Sequence, residues 1–125
     1  VIPRLAELIA KFEGYGIPGA IPTTHANPGD LEHAPGATHT AGDPIGEIDT
    51  PADGWHDLVR QLNIYVTEHP NWTVAQAIYE FAPPSENDTI AYLTYVLNGL
   101  GCSADTLLSD ALTIPGQGVY SDEPT

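Results

Sequence analysis

Glu13 is the acid in this sequence whose position could do chemistry. It follows Leu5, Leu8, Ile9 and Phe12, the i, i+3, i+4, i+7 stripe of an amphipathic helix over residues 3–13, and it precedes Gly14, a natural helix stop. A carboxylate at the C-terminal end of a helix faces the partly negative pole of the backbone dipole, which raises its pKa. A carboxylic acid that keeps its proton near neutral pH is what general acid catalysis requires. His25, His33 and His39 suggest a metal triad at first sight. They lack the i, i+4 helical spacing and the cysteine partners of a zinc site, so surface or substrate-contact roles are expected, with no metal and no cofactor.

The elements that must position Glu13 can be read along the chain. Pro3 suits the first turn of the first helix. From Tyr15 to Asp49 glycine and proline concentrate and the 3.6-residue period disappears, leaving short candidate strands at 30–33 and 45–48. An irregular stretch this long inside a compact domain is usually functional, so it is expected to form the wall of a cleft. Helical signals then return. Thr50-Pro51-Ala52-Asp53 opens a helix through Trp55, Leu58, Val59, Leu62 and Tyr65 to about Glu68. Thr73 and Gln76 form a capping box ahead of Val74, Ala77, Ile78 and Phe81, and Pro83-Pro84 stops that helix. Asn87 or Asp88 caps the next, through Ala91, Leu93, Val96, Leu97 and Leu100, and a short one follows from Ser103 to about Ala111. The expected class is α+β, predominantly helical, with one domain over residues 1–112 and a tail or linker over 113–125.

Composition bounds the function. A chain of 125 residues supports one real core. With 17 Asp plus Glu against three Lys plus Arg (Arg4, Lys11 and Arg60), the net charge of -14 excludes binding to nucleic-acid phosphates and opposes anionic membranes. No run approaches the ~18 apolar residues of a membrane span, so no membrane insertion is expected. The single cysteine, Cys102, excludes an intramolecular disulfide. In the absence of Met, Val1 is expected to follow the removal of a preceding segment.

The succession "LIAKFEGYG", "HANPGDLEH", "DTPADGWHDLVRQL" and "FAPPSENDTIAYL" resembles the lysozyme-like superfamily. It is most similar to the lytic-transglycosylase-like muramidase domains of bacterial and phage structural proteins, over about residues 5–110. The resemblance implies a lysozyme-like two-lobed fold with a small irregular β lobe. It also implies a monomeric enzyme, extracellular, periplasmic or virion-associated, whose partner is the peptidoglycan glycan strand. The reaction would be cleavage of the MurNAc–GlcNAc β-1,4 bond by hydrolysis or lytic transglycosylation, with Glu13 as general acid/base. A glycosidase adds a second carboxylate, as nucleophile at ~5 Å or as base at ~6.5–9.5 Å, and Asp30 after the Asn27-Pro28-Gly29 turn is the candidate. A transglycosylase needs one acid/base alone. Asn87, Thr89 and Tyr92 form the expected substrate-binding group, joined by Asn27 and His25. Asn87 offers a donor and an acceptor to an acetamido group, and Tyr92 a sugar-facing ring or a hydrogen bond to Glu13. Structural roles compete at each: a cap for Asn87 or Asp88, core for Tyr92, a turn for Asp30. From a different function class, a catalytically silent peptidoglycan-binding or virion structural module would keep the same cleft. The charge bears on this choice, because an anionic wall repels such a protein at low salt.

Overall fold

The computed structural model describes residues 1–124, and they form a mostly helical domain. Six helices follow in order: α1 (Arg4–Glu13), α2 (Ile21–Thr24), α3 (Pro51–Glu68), α4 (Val74–Phe81), α5 (Thr89–Leu100) and α6 (Leu108–Ala111). Their ends lie where local chemistry puts them. Gly14 closes α1 at φ 93° and Gly101 closes α5 at φ 70°, both in the left-handed region that suits glycine. Thr50 accepts from the Asp53 N–H at 3.2 Å to start α3. Thr73 and Gln76 complete the capping box of α4. At α5 the cap is Asp88, which accepts from the Ala91 N–H at 3.1 Å, and Asn87 is thereby left to other work.

The core is built around α1. Leu5 and Ile9 are fully buried and join Leu58 and Leu62 of α3, Ile78 of α4, and Tyr92 and Val96 of α5 in one cluster. Each such side chain contributes roughly 1.5–3 kcal/mol by leaving water. α1 packs chiefly on α5, which fixes the direction in which its last residue, Glu13, is presented.

The expected strands at 30–33 and 45–48 do not form. Between Tyr15 and Asp49 the chain makes one isolated bridge, Thr38 to Glu47, closed by backbone hydrogen bonds of 3.0 and 2.7 Å. Clustered proline and glycine withhold ladder donors and side-chain contacts. A buried asparagine replaces the ladder: Asn27 donates to the Leu31 and Gly46 carbonyls at 2.8 and 2.9 Å and accepts from the Leu31 N–H at 2.9 Å. Gly54, in the first turns of α3, lets this segment seat closely, since a Cβ there would run into the Ala26 carbonyl oxygen.

The stretch expected as a tail or linker beyond Thr113 is instead docked as far as it is described. Pro115 bridges Pro3, and Glu7 on α1 accepts from the N–H groups of Gln117 (2.8 Å) and Val119 (3.2 Å). Asp122 accepts from the Tyr15 hydroxyl at 2.5 Å and the Trp55 indole N–H at 2.9 Å. The polar composition of this stretch therefore serves pairing with α1 and α3. Residue 125 lies outside the described residues. No helix among the described residues is long and apolar enough to cross a membrane.

Candidate active site

Glu13 ends α1 at one side of an open groove of about 780 Å³. One wall is the irregular segment 29–35, and the other is the face of α3 that carries Asp57, Arg60, Ile64 and Tyr65. The end of α4 and the arm after Pro83, with Asn87, complete the rim. Burial is the largest influence on the Glu13 carboxyl and pushes its pKa up to about 7. Tyr92 opposes this by donating its hydroxyl to Glu13 Oε2 at 2.7 Å, which favours the charged form. Asp30 reinforces the rise, both through its charge and as an acceptor for the Glu13 proton. Its own pKa is also raised, first by burial, and Asp30 Oδ1 is buried without a hydrogen-bond partner.

Asp30 adopts φ 54°, a left-handed conformation that Asp and Asn tolerate better than most residues. The turn after Asn27 thus delivers a carboxylate to Glu13, and the two share an interest in one proton. Next to them His25 bonds Asp43 at 2.7 Å and the Thr24 hydroxyl at 2.9 Å, so both ring nitrogens are engaged. The interaction with His25 works to lower the Asp30 pKa, while Asp43 and Glu32 push it up. Tyr92 itself is fully buried, with Phe12 packed on it at a ring-centroid distance of 4.1 Å. Its phenol is pushed well above the ordinary tyrosine range by burial and by Glu13, so it remains a donor.

The residues expected at the site divide. Glu13, Asp30 and Tyr92 come together, and Asn87 lines the groove with its side chain 3.4 Å from the Pro83 carbonyl. Asn27 and Thr89 correct the expectation of substrate contact. Asn27 is fully buried with its side chain spent on the irregular segment, and Thr89, 3 % exposed, donates to the Ala82 carbonyl at 2.6 Å. Both hold the walls in place. His25 bonds Asp43 and lies outside the groove lining. His33 is exposed beside Glu32 and His39 bonds the Glu32 carbonyl, so the three histidines have separate partners. Among the described residues no group of three or more His, Cys, Asp and Glu could hold a metal ion.

The sequence reading missed the α3 wall and Asp43. Asp57, Arg60, Ile64 and Glu68 recur at helical spacing, so one groove-facing stripe was present in the pattern. Asp43 reaches His25 across 18 residues of irregular chain, where no period could announce it. No family model, no curated protein and no solved structure matches the chain.

Proposed function

We propose that this protein cleaves the β-1,4 bond between MurNAc and GlcNAc in peptidoglycan, with Glu13 as general acid and then base. In this reading the fold is the lysozyme-like one, with the irregular segment 15–49 as the smaller lobe and the groove as the glycan channel. The observation that carries it is the Glu13 carboxyl at the groove, held protonated to about pH 7 by burial and by Asp30 and oriented by the Tyr92 hydroxyl. A neutral acid so placed can give its proton to a glycosidic oxygen at physiological pH.

The pairing of Asp30 with Glu13 favours lytic transglycosylation within this reading. A nucleophile or water-activating base lies across the sugar, ~5 or ~6.5–9.5 Å from the acid, whereas Asp30 is close enough to accept the Glu13 proton. Asp30 therefore serves as the group that keeps the proton on Glu13. Glu13 protonates the glycosidic oxygen as the C1–O bond breaks. The 6-hydroxyl of the same muramyl unit then attacks C1 and returns its proton to the Glu13 carboxylate, leaving a 1,6-anhydro sugar.

Digestion of purified peptidoglycan with product masses read out tests this reading. Wild type is expected to release anhydro-muropeptides and Glu13→Gln none. Reducing ends would mark hydrolysis. Full activity in Glu13→Gln would remove the assignment, and binding without products from the wild type would mark a silent wall-binding module.

A further inference from the structure

The chain has three Lys and Arg residues, and two of them are placed away from the groove. Arg4 pairs with Glu7 at 3.0 Å, and Lys11 is exposed on α1 outside the groove lining. Arg60 stands on the groove wall among carboxylates: Asp57 one turn earlier on α3, Glu68 two turns later, and Glu80, Glu86 and Glu32 around the rim. It makes no ion pair within 4.0 Å with any of them, although its charge opposes the rise in the Asp57 pKa that burial and Asp53 cause. Among the described residues the pairs within 4.0 Å are Arg4–Glu7, His25–Asp43 and His33–Glu32, and no hydrogen bond engages the guanidinium. Its five N–H donors are therefore without an acceptor at hydrogen-bond distance among the described residues, on a residue that lines the groove.

An acidic groove repels an anionic group along most of its length, and a carboxylate on an otherwise neutral glycan is tolerated only where a cation receives it. We propose that Arg60 is the specificity-determining residue of the groove, receiving a carboxylate carried by the muramyl unit and thereby separating muramyl glycans from chitin. The assignment rests on the muramidase reading. Two sources supply that carboxylate: the lactyl group of a muramyl unit stripped of its peptide, and the stem peptide itself. A guanidinium binds either through two parallel N–H donors, which an ammonium cannot reproduce.

Calorimetric titration in the Glu13→Gln background, which holds substrate without turnover, separates the possibilities. Three oligosaccharides of equal length are compared: chitooligosaccharide, peptide-stripped muramyl oligomer and stem-bearing muramyl oligomer. At low salt a carboxylate-bearing oligomer is expected to bind about fivefold more tightly than chitooligosaccharide, a preference that Arg60→Gln abolishes and Arg60→Lys partly keeps. The muramyl oligomer that shows the Arg60-dependent gain identifies the source. Full preference retained in Arg60→Gln, or equal binding of all three to the parent, overturns the role of Arg60 and leaves the muramidase reading standing. Absence of binding by all three overturns both.

Discussion

Two glutamates on one helix show how the same side chain becomes a strap in one place and an acid in another. Glu7 and Glu13 lie two turns apart on α1, and both are withdrawn from water. Glu7 is 1 % exposed, yet its pKa is lowered: burial pulls it up, but the Gln117 and Val119 N–H groups, the Arg4 guanidinium and Glu123 more than offset that. Among the described residues Glu13 has the Tyr92 hydroxyl as its one hydrogen-bond donor and Asp30, a like charge, as a neighbour, and burial above all raises its pKa to about 7. Donor supply, more than depth of burial, separates the two. A carboxylate given several donors stabilises the fold as an anion, whereas one given a single donor keeps a transferable proton.

The largest effect expected from disturbing this contrast is at the acid. On the proposed muramidase function, Glu13→Gln should lower kcat on peptidoglycan by a factor on the order of 10²–10⁴, the usual worth of a positioned general acid. It should also stabilise the protein at neutral pH. Folded Glu13 titrates near 7 and the ordinary value is 4.5, so the folded chain holds more protons between these values and loses stability as pH rises through that window. After allowance for its partial exposure, Glu13→Gln should gain on the order of 1–2 kcal/mol at pH 8 and little at pH 4, read from urea melts at both. Equal stability changes at the two pH values would show that Glu13 carries no raised pKa.

Glu7→Gln should act in the opposite sense. It removes an anion from several donors at once, one of them a guanidinium, and should cost about 2–3 kcal/mol with the groove chemistry intact. A lowered pKa places the Glu7 contribution above the ordinary carboxylate range and loses it as pH falls through the folded value. Hydrogen exchange at the Gln117 and Val119 amides reads the outcome directly. Unchanged protection there in Glu7→Gln would mean that the docked tail is held by Asp122 with Tyr15 and Trp55 instead.

Legibility in the sequence followed the range of the contacts. The helix ends were readable because Thr50 with Asp53, Thr73 with Gln76 and Asp88 with Ala91 act across three residues. Glu13 was readable because its helix and its glycine stop are local too. The tail was not, since Glu7 meets Gln117 across 110 positions and a Pro/Gly-rich stretch carries no periodic mark of what it docks on. Asn27 was misread for the same reason: a turn-forming asparagine looks alike whether its side chain meets a ligand or, as here, Gly46 on the far side of the loop. The missing strands belong with it, because one buried amide does the work that pairing was expected to do.

The smallest effects are also the sharpest test of the contrast, because they move the Glu13 proton in opposite directions. Tyr92→Phe removes the donor that favours the carboxylate while keeping a ring for Phe12 to pack on. The Glu13 pKa should rise further, and the alkaline limb of kcat/KM should move to higher pH. Asp30→Asn removes the charge that opposes ionisation, and asparagine tolerates the φ of 54° at that turn, so the backbone need not move. The Glu13 pKa should fall and the same limb should move to lower pH. Each variant should keep its rate at its own pH optimum within about tenfold, since neither removes the acid itself. Limbs that shift the same way in both variants would break the argument that donors and like charges, acting on a carboxyl already withdrawn from water, decide what Glu13 does.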